Sequence, residues 1–160
     1  MDKLNIIYVD DQREILSTLS KELQCFEALV SLEECESATE AFGVINEIET
    51  AGDHVAVIIS DHIMPGKNGV EFLTEIHNDG RFIHTKKMLL TGQATHHDTI
   101  AAINNAHIQK YLEKPWKSER LIDDVKMLLT QFVFDVGIDY TPYMSVLHQA
   151  TLLRNLQNSV

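Results

Sequence analysis

Cysteine and proline are scarce in this chain, and both shortages limit the possible fold classes. Its 160 residues include 2 Cys and 3 Pro. Cys25 and Cys35 show neither CxxC nor Cys/His metal spacing, so we interpret them as reduced thiols, not as a disulfide framework or a zinc site. With 44% hydrophobic residues, the composition excludes collagen-like and disordered chains and indicates a globular chain that can bury its own core.

Positive charge and long apolar runs are also in short supply. The chain has 13 Lys and Arg against 24 Asp and Glu, a formal net charge of −11. Such a surface repels phosphate backbones and anionic lipids, so we expect this chain to bind neither nucleic acid nor membranes. We see no apolar run of about 18 residues, the length of a membrane span, and no signal-peptide pattern. We therefore expect a cytoplasmic location.

Short apolar runs alternate with segments of helical periodicity. Five strands are predicted, over Leu4–Val9, Ala28–Leu32, His54–Ser60, Lys87–Leu90 and His107–Leu112. Helices are predicted over Arg13–Gln24, from the capping box that starts at Ser37 to near Gly52, and over Val70–Asn78, Asp98–Ala106 and Glu119–Phe132. This alternation predicts an α/β fold, a three-layer doubly wound (βα)5 domain with a five-stranded parallel sheet.

The end of the chain differs in composition. We divide the sequence into a domain over 1–132 and a helical extension over 133–160, which is too short for a core of its own. Thr141-Pro142 predicts an N-cap followed by proline at the first helical position. An apolar stripe follows, formed by Met144, Val146, Leu147, Ala150, Leu153 and Leu156. We expect this final helix to pack on the domain, to contribute to a homodimer or to act as a linker.

Reactive side chains follow four of the predicted strands. Asp10 and Asp11 follow the first strand, Asp61 the third, Thr91 the fourth and Lys114 the fifth. Ligand sites of parallel sheets lie beyond the carboxyl ends of the strands, so these side chains should converge. Three neighbouring carboxylates repel one another unless a hard cation such as Mg²⁺ neutralises them. A carboxylate beside Mg²⁺ and an ammonium group can act as a nucleophile toward phosphorus, forming an aspartyl phosphate.

The sequence resembles the receiver domain of two-component response regulators. The resemblance covers about residues 3–130 and lies in Asp10-Asp11, Asp61-His-Ile-Met-Pro-Gly-Lys-Asn-Gly69, Leu-Leu-Thr91-Gly and Tyr111-Leu-Glu-Lys114-Pro115. It implies the flavodoxin-like fold of that family. The stretches Thr91-Gly-Gln-Ala94 and Tyr111-Leu-Glu-Lys-Pro-Trp116 are similar to a subgroup of receivers linked to cyclic-di-GMP or HD-type output modules.

The resemblance implies a phosphoacceptor and a metal site. Asp61 would be the phosphoacceptor. Asp11 and Asp61 would bind Mg²⁺ through their side chains, Asp10 mainly through water, and Ile63 through its main-chain carbonyl.

It also implies how the phosphoryl group is held and detected. Thr91 would bind a phosphoryl oxygen and Lys114 would form an ion pair with the phosphate. Tyr111 would be the switch aromatic whose rotamer follows Thr91. The Lys114–Pro115 bond matches one that is usually cis in this family, and proline makes that isomer accessible.

The function implied is that of a signalling module, not an enzyme. A sensor histidine kinase or histidine phosphotransfer protein would donate the phosphoryl group, and a downstream output protein or domain would read the changed surface. Mg²⁺-dependent self-phosphorylation from small donors and slow autodephosphorylation would accompany this role. Two alternatives stay open: a pseudo-receiver scaffold that works without phosphorylation, and a phosphohydrolase of the haloacid-dehalogenase type. The latter requires Asp-x-Asp after its first strand, where this chain has Asp10-Asp11-Gln12.

Overall fold

The computed structural model describes residues 2–92 and 97–158, apart from the side chain of residue 98. The strands are β1 (Leu4–Val9), β2 (Ser31–Cys35), β3 (His54–Asp61), β4 (Lys86–Thr91) and β5 (Lys110–Glu113). The helices are α1 (Arg13–Glu22), α2 (Ala38–Thr50), α3 (Gly69–His77), α4 (His97–Asn105), α5 (Ser118–Val136) and α6 (Gln149–Asn158). Short 3₁₀ helices cover Leu23–Phe26, Gly80–Phe82 and Thr141–Val146.

The five strands form one parallel sheet in the order β2-β1-β3-β4-β5. Every residue of β1 and β4 is buried, which is typical of parallel strands covered on both faces. One apolar cluster joins the sheet to α1 and α5, and a second joins it to α2, α3 and α4. The predicted α/β fold with three layers and a doubly wound parallel sheet is confirmed.

The predicted position of β2 is wrong by about three residues. The strand occupies Ser31–Cys35, not Ala28–Leu32. After α1 the chain continues as the 3₁₀ helix Leu23–Phe26, whose two terminal side chains are completely buried. The chain must finish this buried turn before it can enter the sheet. The edge strand itself contains Glu33 and Glu34, so its apolar signal is weak.

The predicted start of β5 is also wrong. The strand begins at Lys110 because residues 106–108 form the cap that follows α4. His107 adopts a positive φ of 53°, and the amide of Ile108 donates a hydrogen bond to the carbonyl of Ile103 at 3.1 Å. This six-to-one bond is the pattern of a Schellman cap, which requires a left-handed residue at the position of His107.

Helix α5 continues across position 132, where the sequence analysis placed the end of the domain, and ends at Gly137 in the left-handed conformation (φ 82°). The extension then packs on the core formed by the sheet, α1 and α5. Its most buried side chain is that of Tyr143, at 0% exposure, and the Tyr143 hydroxyl donates a hydrogen bond to the main-chain carbonyl of Asp2. The extension therefore contacts the amino-terminal end of the described chain.

The predicted final helix is two helices with a break between them. Tyr140, not Thr141, is the N-cap of the 3₁₀ helix, although Pro142 does lie in its first turn. The break near His148 changes the helical phase, so the predicted stripe does not lie on one face. Met144, Ala150 and Leu153 are exposed, whereas Val146 and Leu147 are buried together with Tyr143, Thr151 and Leu152.

Candidate functional site

Asp61 is the last residue of β3, in the middle of the sheet, and is 6% exposed. The chain leaves the strand in a tight loop that ends where the Gly69 amide donates a hydrogen bond to the carbonyl of His62 at 2.8 Å. A Cβ at position 69 would overlap the main-chain carbonyl oxygen of Asp61. Asn68 then caps α3 in a capping box with Glu71. The glycine therefore lets α3 start directly against the end of β3.

Asp10 and Asp11 follow β1, the neighbour of β3. Asp10 is completely buried, and its Oδ1 accepts a hydrogen bond from the Gln12 amide at 2.8 Å. Among the described residues, no group donates a hydrogen bond to its Oδ2. Asp11 is exposed to solvent. Carboxylate oxygens of Asp10, Asp11 and Asp61 lie within 4.8 Å of one another.

This arrangement disfavours the ionised form of Asp10. Burial raises the pKa of Asp10, and the neighbouring negative charge of Asp61 raises it further, whereas the hydrogen bond from Gln12 and the charge of Lys114 lower it. The net effect is a raised pKa. The orphaned Oδ2 and the set of oxygen donors fit a hard divalent cation, which would neutralise the repulsion.

Lys114 provides the positive charge of the site. Its Nζ lies 2.5 Å from Asp61 Oδ1 and 3.7 Å from Asp10 Oδ2. Its main-chain amide donates a hydrogen bond to the carbonyl of Thr91 at 2.9 Å, directly after β5. The Lys114–Pro115 peptide bond is cis, as the resemblance implied. Lys114 thus contacts two of the three carboxylates.

The remaining predicted residues lie around the same cleft. Thr91, the last residue of β4, is 2% exposed and lines the cleft together with Asp11, Asp61 and Lys114. Ile63 also lines it, with its side chain 68% exposed at the mouth. The structure therefore brings together the strand-end residues that the sequence predicted.

Tyr111 lies outside this group. It is on β5, paired with Leu89, and is 46% exposed. Of the stretch from Thr91 to Ala94, the last two residues lie outside the described part of the chain.

One contact beside the site was not predicted. Trp116 Nε1 donates a hydrogen bond to Glu22 Oε2 at 2.7 Å, which joins the segment after Lys114 to the end of α1. The two residues are 94 positions apart. The helical spacing of Ile15, Thr18 and Glu22 indicates a common face of α1, but nothing local in the sequence identifies Trp116 as the partner of that face.

Comparison with known proteins agrees with this geometry. The family model described as response regulator receiver domain matches residues 6–126. The solved signal receiver domain of an HD domain-containing protein from Pseudomonas fluorescens Pf-5 is similar with a TM-score of 0.69 and 29% identity, over 81% of this chain and 97% of that one.

Two curated relatives are both named hydrogenase transcriptional regulatory protein HoxA. The protein from Cupriavidus necator is 40% identical over 72 residues, which are 45% of this chain and 14% of that protein. The protein from Bradyrhizobium diazoefficiens is 30% identical over 122 residues, which are 76% of this chain and 23% of that protein. The chain thus spans less than a quarter of the length of these relatives. In the described part of the chain, none of the helices has both the length and the apolar character that crossing a membrane requires.

Proposed function

Because this chain belongs to the response regulator receiver domain family, we propose that it acts as a phosphorylation switch with Asp61 as the phosphoacceptor. The observation that carries the proposal is the position of the Asp61 carboxylate. It sits at the end of the central strand β3, with the Lys114 ammonium 2.5 Å away and two further carboxylates on the adjoining β1–α1 segment.

The transfer is a displacement at phosphorus. An Asp61 carboxylate oxygen bonds to the phosphorus of a phosphohistidine, the phosphorus–nitrogen bond breaks, and the imidazole leaves with the electron pair. Lys114 must then exchange its contact with Asp61 for a contact with a phosphoryl oxygen. The Thr91 hydroxyl binds another phosphoryl oxygen, so that the negative charge of the transferred group meets fixed donors.

The acidic cluster suits Mg²⁺, with Asp11 and Asp61 as side-chain ligands, Asp10 acting through water and the Ile63 carbonyl as the remaining protein ligand. Bound there, the ion supplies positive charge to the phosphoryl oxygens. The Oδ2 of the buried Asp10 supports this role, because among the described residues no group donates a hydrogen bond to it.

The switch follows from the change of charge at Asp61. When Thr91 moves toward the phosphoryl group, it leaves space that Tyr111 can enter from its exposed position on β5. The surface around β5 thereby changes, and a downstream output protein or domain reads it. The donor is a sensor histidine kinase or a histidine phosphotransfer protein. Met144 and Leu153, exposed on the extension, provide apolar surface for a homodimer.

The proposal is tested by intact-mass spectrometry after incubation with acetyl phosphate and Mg²⁺. We expect the mass of one phosphoryl group on the wild-type protein and none on Asp61→Asn, because the amide is nearly isosteric but not nucleophilic. Asp123→Asn, which changes an exposed aspartate of α5, is the matched control and should label like the wild type. Stoichiometric labelling of Asp61→Asn, or labelling that persists in EDTA, would contradict the assignment.

A further inference from the structure

We propose that the Trp116–Glu22 hydrogen bond is a positioning contact that holds Lys114 at the phosphorylation site. The inference rests on the proposed function, because it assigns a role in the reaction of Asp61. Neither residue touches Asp61. Trp116 acts through the backbone that joins it to Lys114. Glu22 acts through α1, the helix that follows Asp10 and Asp11.

Lys114 lies between two anchors. Upstream, its own amide is bonded to the carbonyl of Thr91 at 2.9 Å, which continues the pairing of β5 with β4. Downstream, the indole of Trp116 is bonded to Glu22 at 2.7 Å. The Lys114 backbone is therefore held on both sides, and its side chain starts from a defined place to reach Asp61.

Glu22 is a suitable anchor because α1 is itself fixed. Glu22 is the last residue of α1, and the neighbouring side chains of Leu19 and Leu23 are completely buried against the sheet. A carboxylate at this position has little freedom to move with the loop. The indole N–H of Trp116 is a donor only, so an acceptor at position 22 is what the contact requires.

The same contact joins the two halves of the site. Helix α1 begins directly after Asp10, Asp11 and its N-cap Gln12, while Lys114 and Trp116 belong to the segment between β5 and α5. The hydrogen bond therefore sets the distance between the acidic side of the site and its ammonium group. Trp116 also packs against the core cluster between the sheet, α1 and α5, so its ring is held in place apart from the hydrogen bond.

The kinetic test separates the hydrogen bond from the packing. Glu22→Leu removes the acceptor, Trp116→Phe removes the donor, and Glu22→Gln keeps an acceptor at the same place. We expect the initial rate of labelling by acetyl phosphate at saturating Mg²⁺ to fall about five-fold in Glu22→Leu and Trp116→Phe. A fall of this size corresponds to part of the free energy of one charge-assisted hydrogen bond. Glu22→Gln should keep most of the wild-type labelling rate. Glu27→Leu, at an exposed acid just beyond α1, controls for the loss of charge.

A second arm does not depend on phosphorylation. The carbon-13 signal of the Lys114 ε-methylene, assigned by its loss in Lys114→Arg, is recorded in the unlabelled protein. We expect it to shift in Glu22→Leu and in Trp116→Phe but not in Glu22→Gln or Glu27→Leu. A purely structural role would lower the melting temperature without moving this signal selectively.

The outcomes separate a failure of the positioning role from a failure of the proposed phosphoacceptor. If the wild type is not labelled at all, the phosphoacceptor assignment fails, and the Lys114 signal still tests the contact. If the wild type is labelled and Glu22→Leu matches it in both rate and signal, the positioning role is wrong. It is equally wrong if Glu22→Gln behaves like Glu22→Leu, because the loss would then not be that of an acceptor.

Discussion

Charges are arranged differently at the two ends of the parallel strands. We call the end that holds Asp61 the carboxyl edge of the sheet and the opposite end the amino-terminal edge. At the carboxyl edge three carboxylates lie close together, Lys114 contacts two of them, and in the described part of the chain Asp10 Oδ2 receives no hydrogen bond. At the amino-terminal edge opposite charges are paired. Lys86 at the start of β4 lies 2.5 Å from Asp135 of α5, and Arg81 lies 2.8 Å from Asp79.

From this difference we infer that the amino-terminal edge supplies stability and that the carboxyl edge supplies the proposed function. The amino-terminal edge is also where the extension closes over the core and Tyr143 bonds to the carbonyl of Asp2. The carboxyl edge keeps its electrostatic repulsion, which a bound cation can relieve. Substitutions at the amino-terminal edge should therefore change stability without changing labelling, whereas those at the carboxyl edge should change labelling.

The largest effect on stability is expected from Tyr143→Ala. The side chain is completely buried, and removing a large buried aromatic costs about 3–5 kcal/mol through lost burial and the cavity left behind. Urea unfolding followed by circular dichroism measures the loss. Labelling per folded molecule should stay unchanged, because the residue is at the opposite edge from Asp61.

Tyr143→Phe is the matched control for that experiment. It keeps the ring and removes only the hydrogen bond to Asp2, so it should cost about 1 kcal/mol. If Tyr143→Ala unfolds like the wild type, the extension does not contribute to the core and the comparison of the two edges fails.

Gly69→Ala should affect both properties. The new Cβ meets the carbonyl of Asp61, which is backbone and cannot rotate away, so we expect a loss of about 3 kcal/mol, the upper end for overpacking. The same displacement moves Asp61, the proposed phosphoacceptor, so the labelling rate should fall as well. Gly43→Ala, in α2 where a Cβ meets nothing within 4 Å, is the control and should be neutral or slightly stabilising. An unchanged labelling rate in Gly69→Ala would show that α3 does not set the position of Asp61.

Lys87, near the start of β4, is a buried lysine whose charge should lower the stability of the folded state at neutral pH. It is 2% exposed, and burial, with a smaller contribution from the charge of Lys86, lowers its pKa to about 8. Because the unfolded chain holds the proton up to a higher pH, the folded state is penalised below pH 8 and recovers as pH rises toward the ordinary lysine value. Lys87→Met should therefore raise the free energy of unfolding by about 2 kcal/mol at pH 7.

The pH dependence identifies the cause. The advantage of Lys87→Met over the wild type should shrink between pH 8 and pH 10, as the lysine of the folded wild type loses its proton. Urea unfolding at pH 7 and pH 10 gives both values. An advantage that is independent of pH would indicate better packing instead of relief of a buried charge.

The sequence predicted the convergence of the strand-end side chains better than it predicted the edges of the fold. Asp10 follows and Asp61 ends a strongly apolar strand, and the ends of parallel strands meet at one edge. The signal for Lys114 was weaker, because only Leu112 of β5 is buried. β2 was misplaced because it is an edge strand with acidic residues, whose position is set by the buried turn at Leu23 and Phe26.

Local sequence patterns did not predict the contacts between residues that are far apart in the chain. The bond from Trp116 to Glu22 and that from Tyr143 to Asp2 each join segments far apart in the chain, and neither leaves a periodic signal. The phase of α6 was missed for a related reason. The break near His148 depends on how Val146 and Leu147 reach the core, which the apolar stripe alone does not specify.

The smallest effect on stability is expected at the carboxyl edge, from Asp10→Asn. Burial and then the charge of Asp61 raise the pKa of Asp10. The folded state therefore keeps this proton to a higher pH than the unfolded chain, and the protein loses stability as pH rises through the folded pKa. The amide cannot ionise, so Asp10→Asn should be more stable than the wild type by about 1 kcal/mol at pH 7 in EDTA.

Mg²⁺ should reverse the sign of that difference. The wild type gains stability from the ion by linkage, whereas Asp10→Asn has lost one of the charges that attract it and should gain less. Thermal melting of both proteins in EDTA and in excess Mg²⁺ makes the comparison, with Asp123→Asn as the control for removing an acid elsewhere. Two results would contradict this argument: Asp10→Asn is less stable than the wild type in EDTA, or Mg²⁺ stabilises both proteins equally. In either case, repulsion between the carboxylates would not explain the expected affinity of the carboxyl edge for a cation.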